Sequence, residues 1–141
     1  MSTIYSTSVS STGGRDGTIR SDDGMLDLKV ALPQSLGGTG GATNPEQLFA
    51  GSYAACFANA VINATRGRTH KVMDQDVEVI AEVDMEANPD GSFGLSLSLI
   101  VMITGIGQKM AEDIVRSARA ICPYSKAMRG NVNVGISVLT R

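Results

Sequence analysis

The chain has 141 residues, 43% hydrophobic and 18% charged, which is the balance of one globular domain spanning 1–141 around a single core. Twelve Lys and Arg against fourteen Asp and Glu leave a net charge of −2; with no Trp and 4% aromatics, this disfavours a nucleic-acid partner, since neither a basic face nor a base-stacking platform is available. The stretch from Met1 to Thr7 lacks the charged and apolar regions of a signal peptide, and no apolar run approaches the ~18–20 residues that span a bilayer, so the expectation is a soluble cytoplasmic protein with no membrane partner.

In the first third, turn residues bracket short strands. Val9 to Ser11 leads into Gly13-Gly14-Arg15-Asp16-Gly17, then Thr18-Ile19-Arg20, then Ser21-Asp22-Asp23-Gly24. Asp23-Gly24 ahead of the run from Met25 to Leu32 is a hairpin signal. That run alternates, with Leu26, Leu28, Val30 and Leu32 on one face, until Pro33 ends it. The connector from Leu36 to Ala42 is rich in glycine but lacks the Lys-Ser/Thr of a phosphate-binding loop, and no dinucleotide fingerprint follows it. It reads as a flexible or close-packed loop.

Thr43-Asn44-Pro45-Glu46 is a helix start: Asn44 suits the N-cap, Pro45 the first turn, and Glu46 the positive end of the dipole. The predicted helix carries Leu48, Phe49, Tyr53, Cys56, Phe57, Ala60, Val61 and Ala64 at three-to-four spacing, with Gly67 closing it. Gly51, Ser52, Ala54, Ala55 and Ala58 crowd its other faces, so a second helix can approach closely and a central position is expected. Val77 to Met85 alternates as a half-buried strand; Asn88-Pro89-Asp90-Gly91 turns the chain, and Phe93 to Ile103 returns as the hairpin partner. Gln108 to Ile121 is a second amphipathic helix with Met110, Ala111, Ile114, Val115 and Ala118 inward, and Val132 to Leu139 is a closing strand. The order predicts an α+β domain with a largely antiparallel sheet.

Two cysteines and one histidine bound the chemistry. Zinc needs about four closely spaced ligands, which Cys56, His70 and Cys122 do not supply, so no metal is expected. His70 sits in the polar stretch from Arg66 to Lys71 and reads as a surface residue. Cys56 is mid-helix, ~15 Å from the positive end of the dipole, and burial alone raises a thiol's pKa. It is therefore either a small core residue or a nucleophile that depends on an imported cation. Cys122 precedes Pro123, which disfavours helical geometry and stops the second helix there. If one thiol attacks and the other resolves, Cys56 is the better nucleophile and Cys122 the better resolver. The candidate cation is Arg15, either a solvated turn charge beside Asp16 or a guanidinium whose plane Glu46 fixes as a bidentate partner. Glu46 and Cys56 lie ten positions apart on one helix and cannot touch directly.

At these residues the sequence becomes recognisable. Gly13 to Gly17, Thr43-Asn44-Pro45-Glu46-Gln47-Leu48-Phe49-Ala50, Tyr53-Ala54-Ala55-Cys56-Phe57 and Cys122-Pro123-Tyr124-Ser125 resemble the organic hydroperoxide resistance proteins, the Ohr branch of the Ohr/OsmC family. The resemblance runs in order over essentially the whole chain. It implies an intertwined homodimer with the long helices at its centre and the sheets wrapped around them. It also implies a thiol peroxidase acting on organic hydroperoxides, fatty-acid hydroperoxides among them, with no bound cofactor and with a dithiol reductant, dihydrolipoamide or a lipoylated protein. By that similarity Cys56 is the peroxidatic cysteine and Cys122 the resolving one, and Arg15 with Glu46 activates the thiolate. The chain differs from the family pattern at Arg119, where His is usual, and at Lys126 and Met128, where Asn and Thr are common. None of these is a reacting or activating position.

Leu48, Phe49, Phe57, Met110 and Met128 are available to line an apolar substrate pocket, although ordinary core positions suit each of them. The rival readings are an OsmC-type peroxidase of broader oxidant range and a non-catalytic binding protein for apolar or oxidised lipids. A redox-sensing regulator ranks lower, because no DNA-binding helix or basic patch is present.

Overall fold

The structure, a computed structural model, describes residues 1–68 and 72–141. His70 lies outside the described residues. The chain forms two compact units, Met1–Leu48 and Phe49–Arg141.

The first unit is a three-stranded antiparallel meander of β1 (Val9–Thr12), β2 (Thr18–Ser21) and β3 (Asp27–Lys29). The Asp23-Gly24 hairpin is present, joining β2 to β3 with Ile19 opposite Leu28. The predicted eight-residue alternating run is cut to three residues for a specific reason. Past Lys29 the backbone changes partners: the Val30 N–H donates to Gly17 O and the Ala31 N–H to Thr43 O, both at 2.9 Å. Val30 and Ala31 are buried, whereas Leu28 stays exposed. The glycine-rich connector is close-packed: a Cβ on Gly38 would lie 2.0 Å from Leu32 O, so only glycine fits there.

The long helix α1 runs Pro45–Ala64. Asn44 caps it, its Oδ1 accepting the Gln47 N–H at 2.9 Å, and Gly67 beyond its end adopts a left-handed φ of 82°. No helix among the described residues is long and apolar enough to cross a membrane.

In the second unit, β4 (Val77–Ala87) and β5 (Phe93–Ile103) form the predicted hairpin around the Asn88–Gly91 turn, pairing Val77 with Ile103 through to Ala87 with Phe93. Helix α2 (Gln108–Ile121), a short α3 (Pro123–Met128) and β6 (Val134–Thr140) follow. The closing strand pairs parallel to β5, Leu97 with Val134 through Ile103 with Thr140, which makes this sheet mixed. A parallel neighbour needs a crossover of a dozen or more residues, and α2 with α3 supplies it. Leu97, Leu99, Val101 and Ile103 from β5, Ala111, Ile114, Val115 and Ala118 from α2, and Tyr53, Phe57, Ala60 and Val61 from α1 make one core. Each set lies on one face because its spacing matches its element: two on the strand, three or four on the helices.

Candidate active site

In the first unit, a single 3-10 turn, Gly14–Asp16, presents Arg15. Gly13 and Gly14 enter it with φ of 84° and 61°, a conformation that disfavours any side chain. Asp16 is not the partner of Arg15; its Oδ1 accepts the Leu32 N–H at 3.0 Å and so ties the turn to the end of the meander. That leaves Arg15 to Glu46. Nη2 donates to Oε1 at 2.6 Å and Nη1 to Oε2 at 2.9 Å, a fork-to-fork pair that fixes the guanidinium plane. The hydrogen bonds from Arg15 hold the Glu46 carboxyl below the usual carboxylate range, and the carboxylate in turn raises Arg15 above its own, so both stay charged.

In the second unit, Cys56 on α1 and Cys122 at the α2–α3 corner come together although 66 residues separate them: Sγ lies 3.8 Å from Sγ. Both are free thiols, Cys122 fully buried and Cys56 partly so. Pro123 explains the corner. It puts Cys122 in extended geometry (φ −64°, ψ 121°), ending α2, and then serves as the first residue of α3. Because proline has no N–H, the first free backbone donor of α3 belongs to Tyr124.

That N–H is the one influence that favours the Cys56 thiolate. Burial dominates in the other direction and pushes the thiol above its ordinary value, with the nearby Cys122 adding to the shift. Burial therefore holds Cys56 as a thiol.

The short helix α3 was not expected from the sequence, and with it two participants were missed, the Tyr124 N–H and Ser125. The available signal was Pro123 followed by Tyr-Ser-Lys-Ala-Met, a proline at a helix start. Ser125 is buried, its Oγ 2.8 Å from the Tyr53 hydroxyl. Tyr53, fully buried, also tilts against the Tyr124 ring at 5.8 Å and 56°. Burial raises the Tyr53 phenol, which stays protonated, so that either hydroxyl of the pair can donate.

Among the pocket candidates, Phe57 is fully buried core, while Phe49, Met110 and Met128 pack at the core's edge. A cavity of about 40 Å³ beside the Tyr53–Ser125 pair is bordered by Met128, Val132 and Val134, with Arg119 and Arg129 adding charge. Arg119 donates through Nη2 to Val134 O at 3.1 Å, bracing α2 against β6.

A model of the family described as OsmC-like protein matches residues 38–137. The organic hydroperoxide resistance protein OhrB of Bacillus subtilis is 38% identical over 96% of this chain and 98% of its own length. The organic hydroperoxide resistance protein of Xanthomonas axonopodis pv. citri is also 38% identical, over 96% of this chain and 94% of its own. A crystal structure of an organic hydroperoxide resistance protein from Legionella pneumophila superposes with a TM-score of 0.91 at 44% identity, covering 98% of this chain and 99% of that one. The crystal structure of Bacillus subtilis OhrB gives 0.84 at 37% identity, covering 96% and 99%.

Proposed function

The chain belongs to the Ohr/OsmC family, and from that premise we propose that it is a cysteine-based peroxidase that reduces organic hydroperoxides, including those of fatty acids, to alcohols. The observation that carries this reading is the free thiol pair, Cys56 and Cys122, 3.8 Å apart. A binding protein for apolar lipids has no use for two reduced sulfurs at that separation.

Arg15, its plane held by Glu46, supplies the cation that Cys56 needs, offsetting the burial that otherwise favours the thiol. The Cys56 thiolate attacks the terminal peroxide oxygen; the S–O bond forms as the O–O bond breaks, and the alkoxide takes a proton and leaves as the alcohol. The Tyr124 N–H steadies the charge on sulfur while it is a thiolate. Cys122 then condenses with the Cys56 sulfenic acid, releasing water and leaving the disulfide. An external dithiol, a lipoyl group in our reading, reopens the bridge by thiol–disulfide exchange and is itself oxidised to a disulfide. No bound cofactor takes part.

The working form in this reading is a homodimer in a reducing cytoplasm. Its support is one face of α1 made of small residues: Gly51 and Ala55 are exposed one turn apart, with the half-buried Ala54 and Ala58 beside them. A surface of that kind admits a second helix closely.

Turnover of cumene hydroperoxide and of hydrogen peroxide with dihydrolipoamide tests the proposal, alongside Cys56→Ser and Arg15→Ala. Organic-selective turnover abolished by Cys56→Ser and reduced at least about a hundredfold by Arg15→Ala is the expected result. Equal turnover of both oxidants points to the broader OsmC type, and an unreactive Cys56 refutes the peroxidase.

A further inference from the structure

The two sulfurs are flanked by a second contact, one helical turn away on each side. Tyr53 precedes Cys56 by three residues on α1, and Ser125 follows Cys122 by three at the α3 corner, so each pair lies along one face. Across the gap the Tyr53 hydroxyl and Ser125 Oγ are 2.8 Å apart, with Tyr53 at 0% exposure and Ser125 at 8%. Both groups are shut away from bulk solvent, so breaking the bond leaves a buried polar group short of a partner. Tyr124, between the two contacts, packs its ring on Tyr53. The Tyr53–Ser125 hydrogen bond is thus the polar tie between the corner and α1, beside the ring contact and the packing of Cys122 in the core.

We propose that the Tyr53–Ser125 hydrogen bond is a clasp that sets how fast Cys122 resolves the sulfenic acid on Cys56, and so how often that acid is lost to further oxidation. The inference rests on the peroxidase reading above. In resolution, the Cys122 sulfur forms the S–S bond while the S–O bond of the sulfenic acid breaks, and the hydroxyl leaves as water with the Cys122 proton. In the competing reaction, a second hydroperoxide transfers its oxygen to the sulfenic sulfur, giving sulfinic acid and another molecule of alcohol. Only the first reaction needs α3 at a set distance from α1. The sulfurs must close from 3.8 Å to about 2.05 Å, and a corner that swings away spends less time within reach. Tyr53 is a positioning residue here: its hydroxyl bonds to Ser125 and not to either sulfur.

The test titrates reduced protein with cumene hydroperoxide in the absence of reductant and reads disulfide against sulfinic acid by intact-mass spectrometry. The hydroperoxide concentration at which half of Cys56 becomes sulfinic should fall about three- to tenfold in Tyr53→Phe and in Ser125→Ala, the factor that one neutral hydrogen bond is worth. The double variant should fall no further, and Ser125→Thr, which keeps the hydroxyl, should restore most of the wild-type partition. Ile114→Ala, a core variant with the clasp intact, should melt lower yet keep that partition, which separates positioning from general stability. If Tyr53→Phe fails to fold, the two Ser125 variants decide the matter. A reactive wild type with an unchanged partition in Ser125→Ala overturns the clasp alone. A wild type whose Cys56 never oxidises overturns the peroxidase reading and the clasp with it.

Discussion

Gly17→Ala tests whether the turn that carries Arg15 depends on close contact between backbone segments. Gly17 has a φ of −127°, outside the left-handed region, so φ alone does not demand glycine. A Cβ at that position, however, would lie 1.7 Å from the Thr12 carbonyl oxygen and 2.8 Å from Gly13 Cα. Both are backbone atoms, and Thr12 is pinned by its pairing with Thr18. Restoring ordinary van der Waals separation requires the backbone to move by more than about 1 Å. Overpacking of this kind costs about 1–3 kcal/mol, a fall in Tm of about 2–10 °C for a chain of this size. The fork from Arg15 to Glu46, at 2.6 and 2.9 Å, does not survive such a shift, because hydrogen bonds weaken steeply beyond ~3.2 Å. Gly14→Ala is the matched control. Its φ is +61° with nothing within 4 Å of a new Cβ, so it incurs only the left-handed strain of about 1–2 kcal/mol and leaves the turn in place. Melting temperature and kcat/KM for cumene hydroperoxide are measured for both against Arg15→Ala, below the melting point of each. Gly17→Ala is expected to drop to the level of Arg15→Ala, and Gly14→Ala to retain most of its activity. A Gly17→Ala protein with wild-type Tm and activity would refute the steric reasoning.

Asn44→Ala removes the acceptor for the Gln47 N–H at the start of α1 and should cost about 1 kcal/mol in urea denaturation, with Asn44→Asp recovering most of it. The Glu46 carboxyl is lowered from its usual 4.5 by Arg15, so its contribution to stability is present above about that pH and is lost as pH falls through the depressed value. The stability gap between wild type and Glu46→Gln should therefore be constant near neutrality and close in acid; a gap that widens there contradicts the pairing. With side-chain exposures of 41% and 19%, the pair is partly screened and the gap small. In a Cys122→Ser background, where burial pushes the Cys56 thiol up, thiolate absorbance should titrate at higher pH with Arg15→Ala than with Arg15 in place, as the proposed activation requires. Coincident titrations with and without Arg15 would remove the guanidinium from the proposed activation.

What the sequence determined by itself is local. Asn44 and Pro45 start α1 because a cap and a fixed φ act within one turn. Helix α2 runs from Gln108 to Ile121 as its spacing and Pro123 require. The β4–β5 hairpin turns at Asn88–Gly91, where those residue types turn chains. The motifs also singled out Arg15, Glu46, Cys56 and Cys122 before any geometry was known. Their roles came from family resemblance; residue chemistry alone left Cys56 open between core and nucleophile. The tertiary structure decided which backbone groups found partners far away. Val30 and Ala31 left the meander for Gly17 and Thr43, and β6 lay parallel to β5 once α2 and α3 had crossed over. It also decided that two sulfurs 66 residues apart would sit at 3.8 Å and that Tyr53 would meet Ser125 in the core. Capping, turn and periodicity signals depend on neighbours within about four residues, whereas these distances depend on how the core packs as a whole.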